Sequence, residues 1–181
     1  FLGIETPSVE SLREADKPQN LKGDLHDAVI DITRAGLEVH AGFIVGFDND
    51  GPDIFQRQLD FILPLPVPLA MVGILMALPR TRLWDRLAAE GRLRHDASGD
   101  QFNRPNFETR LDEITLLRGY RYLMASIYSP DAYFRRCEKL FETMGEDVSV
   151  SAGRPDNLAV LFRSFYQLGV ASPRTRRRFT S

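Results

Sequence analysis

The sequence predicts an α/β fold: parallel strands joined by helical crossovers, then an all-α extension. Three observations predict it. Apolar strand-like runs fall at residues 1–4, 37–47 and 69–77, and a helical pattern follows each of them. Strands separated by helices pair in parallel through right-handed crossovers. After Ala77 only helical periodicity remains.

Each element has a local cause. Residues 1–4 end at Glu5-Thr6-Pro7, and Ser8 is placed to cap a short helix through Val9, Leu12 and Ala15. Lys17-Pro18-Gln19-Asn20 breaks the chain. Asp24 caps a second helix, with Leu25, Ala28, Val29, Ile32 and Ala35 on one face, and Gly36 stops it. Residues 37–47 show little alternation, as in a strand buried on both faces. A turn at 48–51 leads to a helix with Phe55, Leu59 and Ile62 inward, ended by Pro64-Leu65-Pro66. Residues 69–77 read as another buried strand. Thr81 caps a helix carrying Leu83, Trp84, Leu87 and Ala88, which stops at Gly91.

A polar loop over 95–108 separates this half from three further helices. The first covers about 112–126, with Leu116, Leu117, Tyr120, Leu123 and Met124 inward. Ser129 caps the second, with Pro130 at its first position and a stripe of Tyr133, Cys137, Leu140, Phe141 and Met144. The third starts near Pro155 and uses Leu158, Leu161, Phe162 and Phe165.

Composition narrows the function classes. Of 181 residues, 25 are acidic and 23 basic, a net charge of −2, which gives no electrostatic reason to expect nucleic acid. The basic run Arg174-Thr175-Arg176-Arg177-Arg178 reads as a solvated terminus. A single cysteine, Cys137, allows no internal disulfide and reads as a buried structural thiol. The longest apolar run, 61–78, holds Pro64, Pro66 and Pro68 and is a poor membrane span. With no signal peptide, the expected compartment is the cytoplasm. Three strands cannot close a barrel, and Phe1 opens inside a strand-like run. The chain therefore reads as a fragment whose remaining strands lie upstream.

In parallel α/β barrels the reactive residues sit at the carboxyl ends of strands. Those ends present Glu5-Thr6, then Gly46-Phe47-Asp48-Asn49, then Ala77-Leu78-Pro79. A carboxylate at a strand tip suits the vicinal hydroxyls of a ribose. Gly42 and Gly46 suit close approach of a flat ligand or of another backbone. The plainer reading stays open: Glu5 caps the next helix and the glycines only ease packing. His26, His40 and His95 lack metal-ligand spacing. Trp84, Tyr120, Tyr122, Tyr128 and Tyr133 read as core.

Phe1-Leu2-Gly3-Ile4-Glu5-Thr6-Pro7-Ser8 resembles the fourth barrel strand of radical S-adenosylmethionine (SAM) enzymes. Ala41-Gly42-Phe43-Ile44-Val45-Gly46-Phe47-Asp48 is similar to their fifth strand, with its GxIxGxxE pattern. Ala77-Leu78-Pro79-Arg80-Thr81-Arg82-Leu83-Trp84 is similar to the segment after their sixth. Lys17-Pro18-Gln19-Asn20, Gly46 to Asp50, Pro68 to Val72 and Asn106-Phe107 resemble the cobalamin-binding subgroup, with hopanoid methylases near it.

The resemblance implies the C-terminal half of a partial TIM-type βα barrel at 1–92. A helical C-terminal domain would follow at 93–170, then a disordered basic tail at 171–181. It implies a SAM site in which Glu5 binds the ribose and to which Thr6 also belongs. Gly42, Ile44 and Gly46 would wall the adenine, and Ala77 and Leu78 would offer backbone groups to its edge. It implies a 4Fe–4S cluster, an electron donor for it, a small-molecule or lipid-like substrate, and cobalamin as a further cofactor. The reaction would cleave SAM reductively to modify an unactivated carbon, with methyl transfer as one outcome.

Departures from the pattern are specific. Asn49 stands where the family has a glutamate. Arg80 replaces a glycine, so the turn there is expected to avoid positive φ. The CxxxCxxC loop is absent, so the cluster ligands would lie outside this chain, as would the cobalamin domain. The chain alone would be inert. Two rival readings remain: a non-catalytic α/β module with a helical interaction domain, and a different barrel enzyme.

Overall fold

A computed structural model describes residues 1–94, 102, 104–144, 163 and 166. The helix expected near Pro155 and the arginine-rich tail lie outside them. Phe1–Gly145 forms one compact unit.

Strand β1 (Leu2–Glu5) leads into helix α1 (Val9–Glu14), whose N-cap Ser8 accepts the Ser11 N–H. A 3₁₀ turn at Pro18–Leu21 follows where the chain was expected to break. Asp24 caps helix α2 (Leu25–Arg34) by accepting from His26 and Asp27. Gly36 at φ +87° then ends it in the left-handed conformation. Strand β2 (Ala41–Val45), helix α3 (Ile54–Ile62), strand β3 (Ala70–Ile74) and helix α4 (Arg82–Ala89) continue the alternation. Helices α5 (Glu113–Ile127) and α6 (Pro130–Met144) complete the unit.

The strands form a parallel sheet in the order β1-β2-β3. This is a partial βα barrel with a helical extension. One sheet face carries Ile4, Ala41, Phe43, Val45, Ala70, Val72 and Ile74, all buried. They pack with Val29 of α2, with Ile54, Phe55, Leu59 and Ile62 of α3, and with Leu116, Leu123 and Ile127 of α5. A smaller cluster joins Ala77, Leu87 and Phe107 with Trp84 and Leu93.

The outer edge of β3 is closed by hydroxyls. Leu69 turns its carbonyl to Ala41 of β2, so the alternating carbonyls of Ala70 and Val72 face away from β2. Tyr120 donates to Val72 O at 3.1 Å and Tyr128 to Ala70 O at 2.9 Å. Helix α5 thus lies where a further strand would pair.

Several expectations need correcting. The second strand begins at Ala41, because the turn at Gly36 consumes Leu37, whose N–H returns to Ile32 O and whose side chain is exposed. The third stops at Ile74, because the backbone of Ala77 bonds the side chain of Asn106. Coverage of the second face is partial: Gly42 and Ile44 are half-buried, Met71 is exposed and Gly73 is buried. Alternation was hidden because these positions are also small or apolar. In α2, Leu25, Val29 and Ile32 pack on the core as expected and Thr33 joins the buried face, but Ala28 and Ala35 are exposed. Ala88, Tyr122 and Phe141 are exposed, and Cys137 is half-buried. Arg80 does adopt positive φ, +68°. Leu78 O accepts the Thr81 N–H across Pro79-Arg80, a turn whose third position needs φ above zero.

Candidate functional site

The sheet face opposite the core, only partly covered, carries Gly3, Glu5, Gly42, Ile44, Met71 and the buried Gly73. In the strand register Gly3 lies beside Gly42, Gly42 beside Met71, and Ile44 beside Gly73. The three glycines carry no side chain of their own, which leaves a strip between Ile44, Met71 and Glu5 on which the exposed Phe1 ring rests over Gly42 and the Glu5 carboxylate over Gly3. A Cβ on Gly42 would stand 2.8 Å from Cζ of Phe1, and one on Gly3 2.8 Å from Oε1 of Glu5. An alanine at either position would therefore displace the tip of the Phe1 ring or of the Glu5 carboxylate. A hollow of about 210 Å³ lies over this strip, and a cleft of about 590 Å³ opens at the strand tips. Glu5 and Ile44 line both.

Glu5 sits at φ +70°, and Thr6 N–H bonds Ile4 O across it at 3.0 Å. This is a γ-turn with a left-handed centre, a strained arrangement for any residue with a Cβ. Its carboxylate pairs with Lys17 at 3.2 Å and is 13% exposed. Ser8, not Glu5, caps α1.

The other expected residues divide. Gly42 and Ile44 line the hollow, and Leu78 is exposed on the rim of the larger cleft. Thr6 is fully buried, and its Oγ1 accepts the Ser8 N–H. Gly46 at φ +101° donates its N–H to Asp50 and lies under Leu116. Ala77 is fully buried, and Asn106 takes both its N–H (2.8 Å) and its carbonyl (2.7 Å). The clefts thus gather Glu5, Gly42, Ile44 and Leu78, while Thr6, Gly46 and Ala77 support them from behind.

Charged side chains brace the β2 tip. The Asp48 carboxylate holds Arg92 at 2.6 Å and Arg86 at 3.1 Å. Glu14 accepts from Arg86 at 2.8 Å, from the Asp48 N–H at 3.3 Å and from Asn49 Nδ2 at 2.9 Å. Asn49 thus faces a carboxylate from α1. Asp50 accepts from Ser11 Oγ and from the Gly46 and Phe47 N–H groups, while burial pushes its carboxyl up. Lys17, Glu14, Arg86 and Arg92 were missed from sequence, since nothing in their spacing marks them as neighbours.

The hydrogen bond from Arg92 holds the Asp48 carboxyl below its usual range. A carboxylate depressed in the folded state stabilises above its unfolded pKa, about 3.9, and the gain is lost as pH falls through the lower folded value. Asp48→Asn is expected to cost about 1–2 kcal/mol at neutral pH. It should also flatten the acid limb of the stability profile. Urea midpoints measured from pH 3 to 7 check this, and parallel wild-type and variant profiles would oppose it.

Among the described residues no group of three or more His, Cys, Asp or Glu could hold a metal ion. One cysteine in the whole sequence cannot supply the set of thiolates that a 4Fe–4S cluster needs. No described helix is long and apolar enough to cross a membrane.

An open parallel βα sheet with a cleft at the carboxyl ends of its strands defines the class: a partial βα-barrel domain with a helical extension. The chain belongs to the family described as domain of unknown function DUF4070, whose profile matches residues 81–181, more than half of its length. It is 35% identical over 136 residues to hopanoid C-2 methylase of Rhodopseudomonas palustris (strain TIE-1), covering 75% of this chain and 25% of that protein. It is 35% identical over 163 residues to an uncharacterized methyltransferase of Synechocystis, covering 89% and 30%. Bacteriochlorophyllide d C-12(1)-methyltransferase of Chlorobaculum tepidum is 22% identical over 140 residues, covering 76% and 30%. The chain thus spans between a quarter and a third of the length of these curated relatives.

Proposed function

We propose that this chain forms one wall of the SAM site in a longer radical SAM methylase. The observation that carries the reading is the Gly3–Gly42 strip on the partly covered sheet face, with the Glu5 carboxylate at its end. A planar purine can lie against such a strip with Ile44 as an apolar contact. The Glu5 carboxylate can accept from two ribose hydroxyls. Three relatives named as methylases or methyltransferases support methyl transfer as the outcome.

The residues present fit the adenosine half of SAM. They do not fit the cluster, which supplies the electron for SAM cleavage and whose thiolates would come from elsewhere in the longer protein. Cobalamin as methyl carrier, an electron donor and a small-molecule or lipid-like substrate are the finer parts of this proposal. This chain's own share is to bind the nucleoside, orient it and keep water from the strip.

The test uses the full-length protein, reconstituted anaerobically with iron and sulfide. Formation of 5′-deoxyadenosine from SAM is the expected result. Glu5→Gln should weaken SAM binding by about 1.5–3 kcal/mol, the usual worth of a hydrogen bond to a charged group. Unchanged affinity would remove Glu5 from the site.

A further inference from the structure

Glu5 holds a backbone conformation that it would not adopt unaided. The φ of +70° is left-handed, and the pairing of β1 with β2 slips between Gly3 and Glu5. Such an outlier persists only where its surroundings over-determine it. Two amide side chains do so here. Asn20, on the turn after α1, donates from Nδ2 to both Gly3 O and Ile4 O, each at 3.0 Å. Gln58, inside α3, donates from Nε2 to Glu5 O at 3.3 Å and to Ile44 O at 3.1 Å. Three consecutive carbonyls ending at Glu5 are therefore held from two directions.

The cost borne by Gln58 points the same way. It is fully buried, yet among the described residues its Oε1 has no hydrogen-bond partner. A leucine would fill that space with no stranded acceptor. What the amide adds is the bridge between the backbones of Glu5 and Ile44, the two residues shared by both hollows.

We propose that Asn20 and Gln58 are positioning residues that hold the left-handed turn at Glu5 and so aim its carboxylate across the Gly3–Gly42 strip at the ribose hydroxyls of the ligand. The proposal rests on the ribose reading of Glu5. Asn20 reaches the turn from the surface and Gln58 from the core. Lys17, three residues before Asn20 on the same turn, pairs with the carboxylate itself. One short turn thus sets both the backbone and the side chain of Glu5.

The experiment compares equilibrium binding of SAM with that of its 2′,3′-dideoxy analogue to the full-length protein. Loss of the hydroxyls should weaken binding to the wild type roughly ten- to a hundredfold, the range of charged hydrogen bonds. In Asn20→Ala that ratio should fall toward one while affinity for the analogue stays at the wild-type value. A general loss of structure would weaken both ligands alike and would overturn the proposal. Asn20→Asp keeps the shape, removes both donors and should give the same collapse. Glu5→Gln serves as the reference. If the ratio collapses in Glu5→Gln but not in either Asn20 variant, the positioning role fails and the ribose reading stands. If Glu5→Gln leaves the ratio unchanged, the ribose reading fails and the positioning role falls with it.

Discussion

Arg136→Ala is expected to cost about 3–5 kcal/mol of stability, because each buried carbonyl left without a donor costs about 1–3 kcal/mol. Arg136 is fully buried at the end of the second turn of α6. Its guanidinium donates to Val67 O at 2.9 Å, Ile127 O at 2.6 Å, Ala132 O at 3.2 Å and Pro68 O at 3.3 Å. The cation also lies 5.7 Å from the Tyr128 ring centre. One side chain therefore ties α6 and the end of α5 to the segment entering β3. Its partners are backbone carbonyls, so no second substitution can remove them. That separates this site from a buried ion pair, where replacing both side chains by apolar ones is often harmless. Burial lowers the arginine pKa from a very high starting value, so the effect should not vary between pH 5 and 9. Thermal unfolding is the measurement, with a fall of roughly 10 °C or more expected. Arg136→Lys should recover only part of the loss, because one ammonium cannot span four carbonyls. A loss below about 1 kcal/mol for the alanine variant would contradict this account.

What was legible in the sequence was local. Ser8, Asp24 and Thr81 cap helices through side-chain contacts two or three residues away, and all three were readable in advance. The strand–helix alternation and parallel pairing were equally plain. Arg136 was not, since its acceptors in the β3 approach lie 68 and 69 residues away and a charged residue ordinarily reads as surface. The same reason placed Phe141 inward: the buried stripe of α6 is centred on Arg136 and Leu140. In the site, Glu5, Gly42, Ile44 and Leu78 were named from sequence and line the clefts. The backbone state of Glu5 and the two amides holding it were invisible, because they depend on how three separate elements meet.

Gly119→Ala is the second large effect. In an exposed helix this change stabilises by up to about 1 kcal/mol. Here Gly119 faces Phe55 of α3, and an added Cβ would lie well inside 3.0 Å of three ring atoms. The ring is only 5% exposed and sits within the main core, so it has little room to withdraw. Overpacking of this kind costs about 1–3 kcal/mol and at times more, enough to outweigh the gain in helix propensity. A net loss of about 2 kcal/mol is expected, read as a fall of roughly 4–8 °C in melting temperature. Phe55→Leu, combined with Gly119→Ala, should recover part of it, since the smaller side chain vacates the notch. The two changes should therefore couple in a double-mutant cycle. A higher melting temperature for the single variant would mean that α5 can shift away from α3.

The tyrosine hydroxyls on β3 also bear on behaviour in solution. An unpaired strand edge offers carbonyls and amides to any neighbouring chain and can seed edge-to-edge aggregation. At β3 two of those acceptors already serve Tyr120 and Tyr128 of the protein's own helix. Self-association through this edge would first have to peel α5 from the core, so colloidal stability on this side depends on how firmly one helix stays docked.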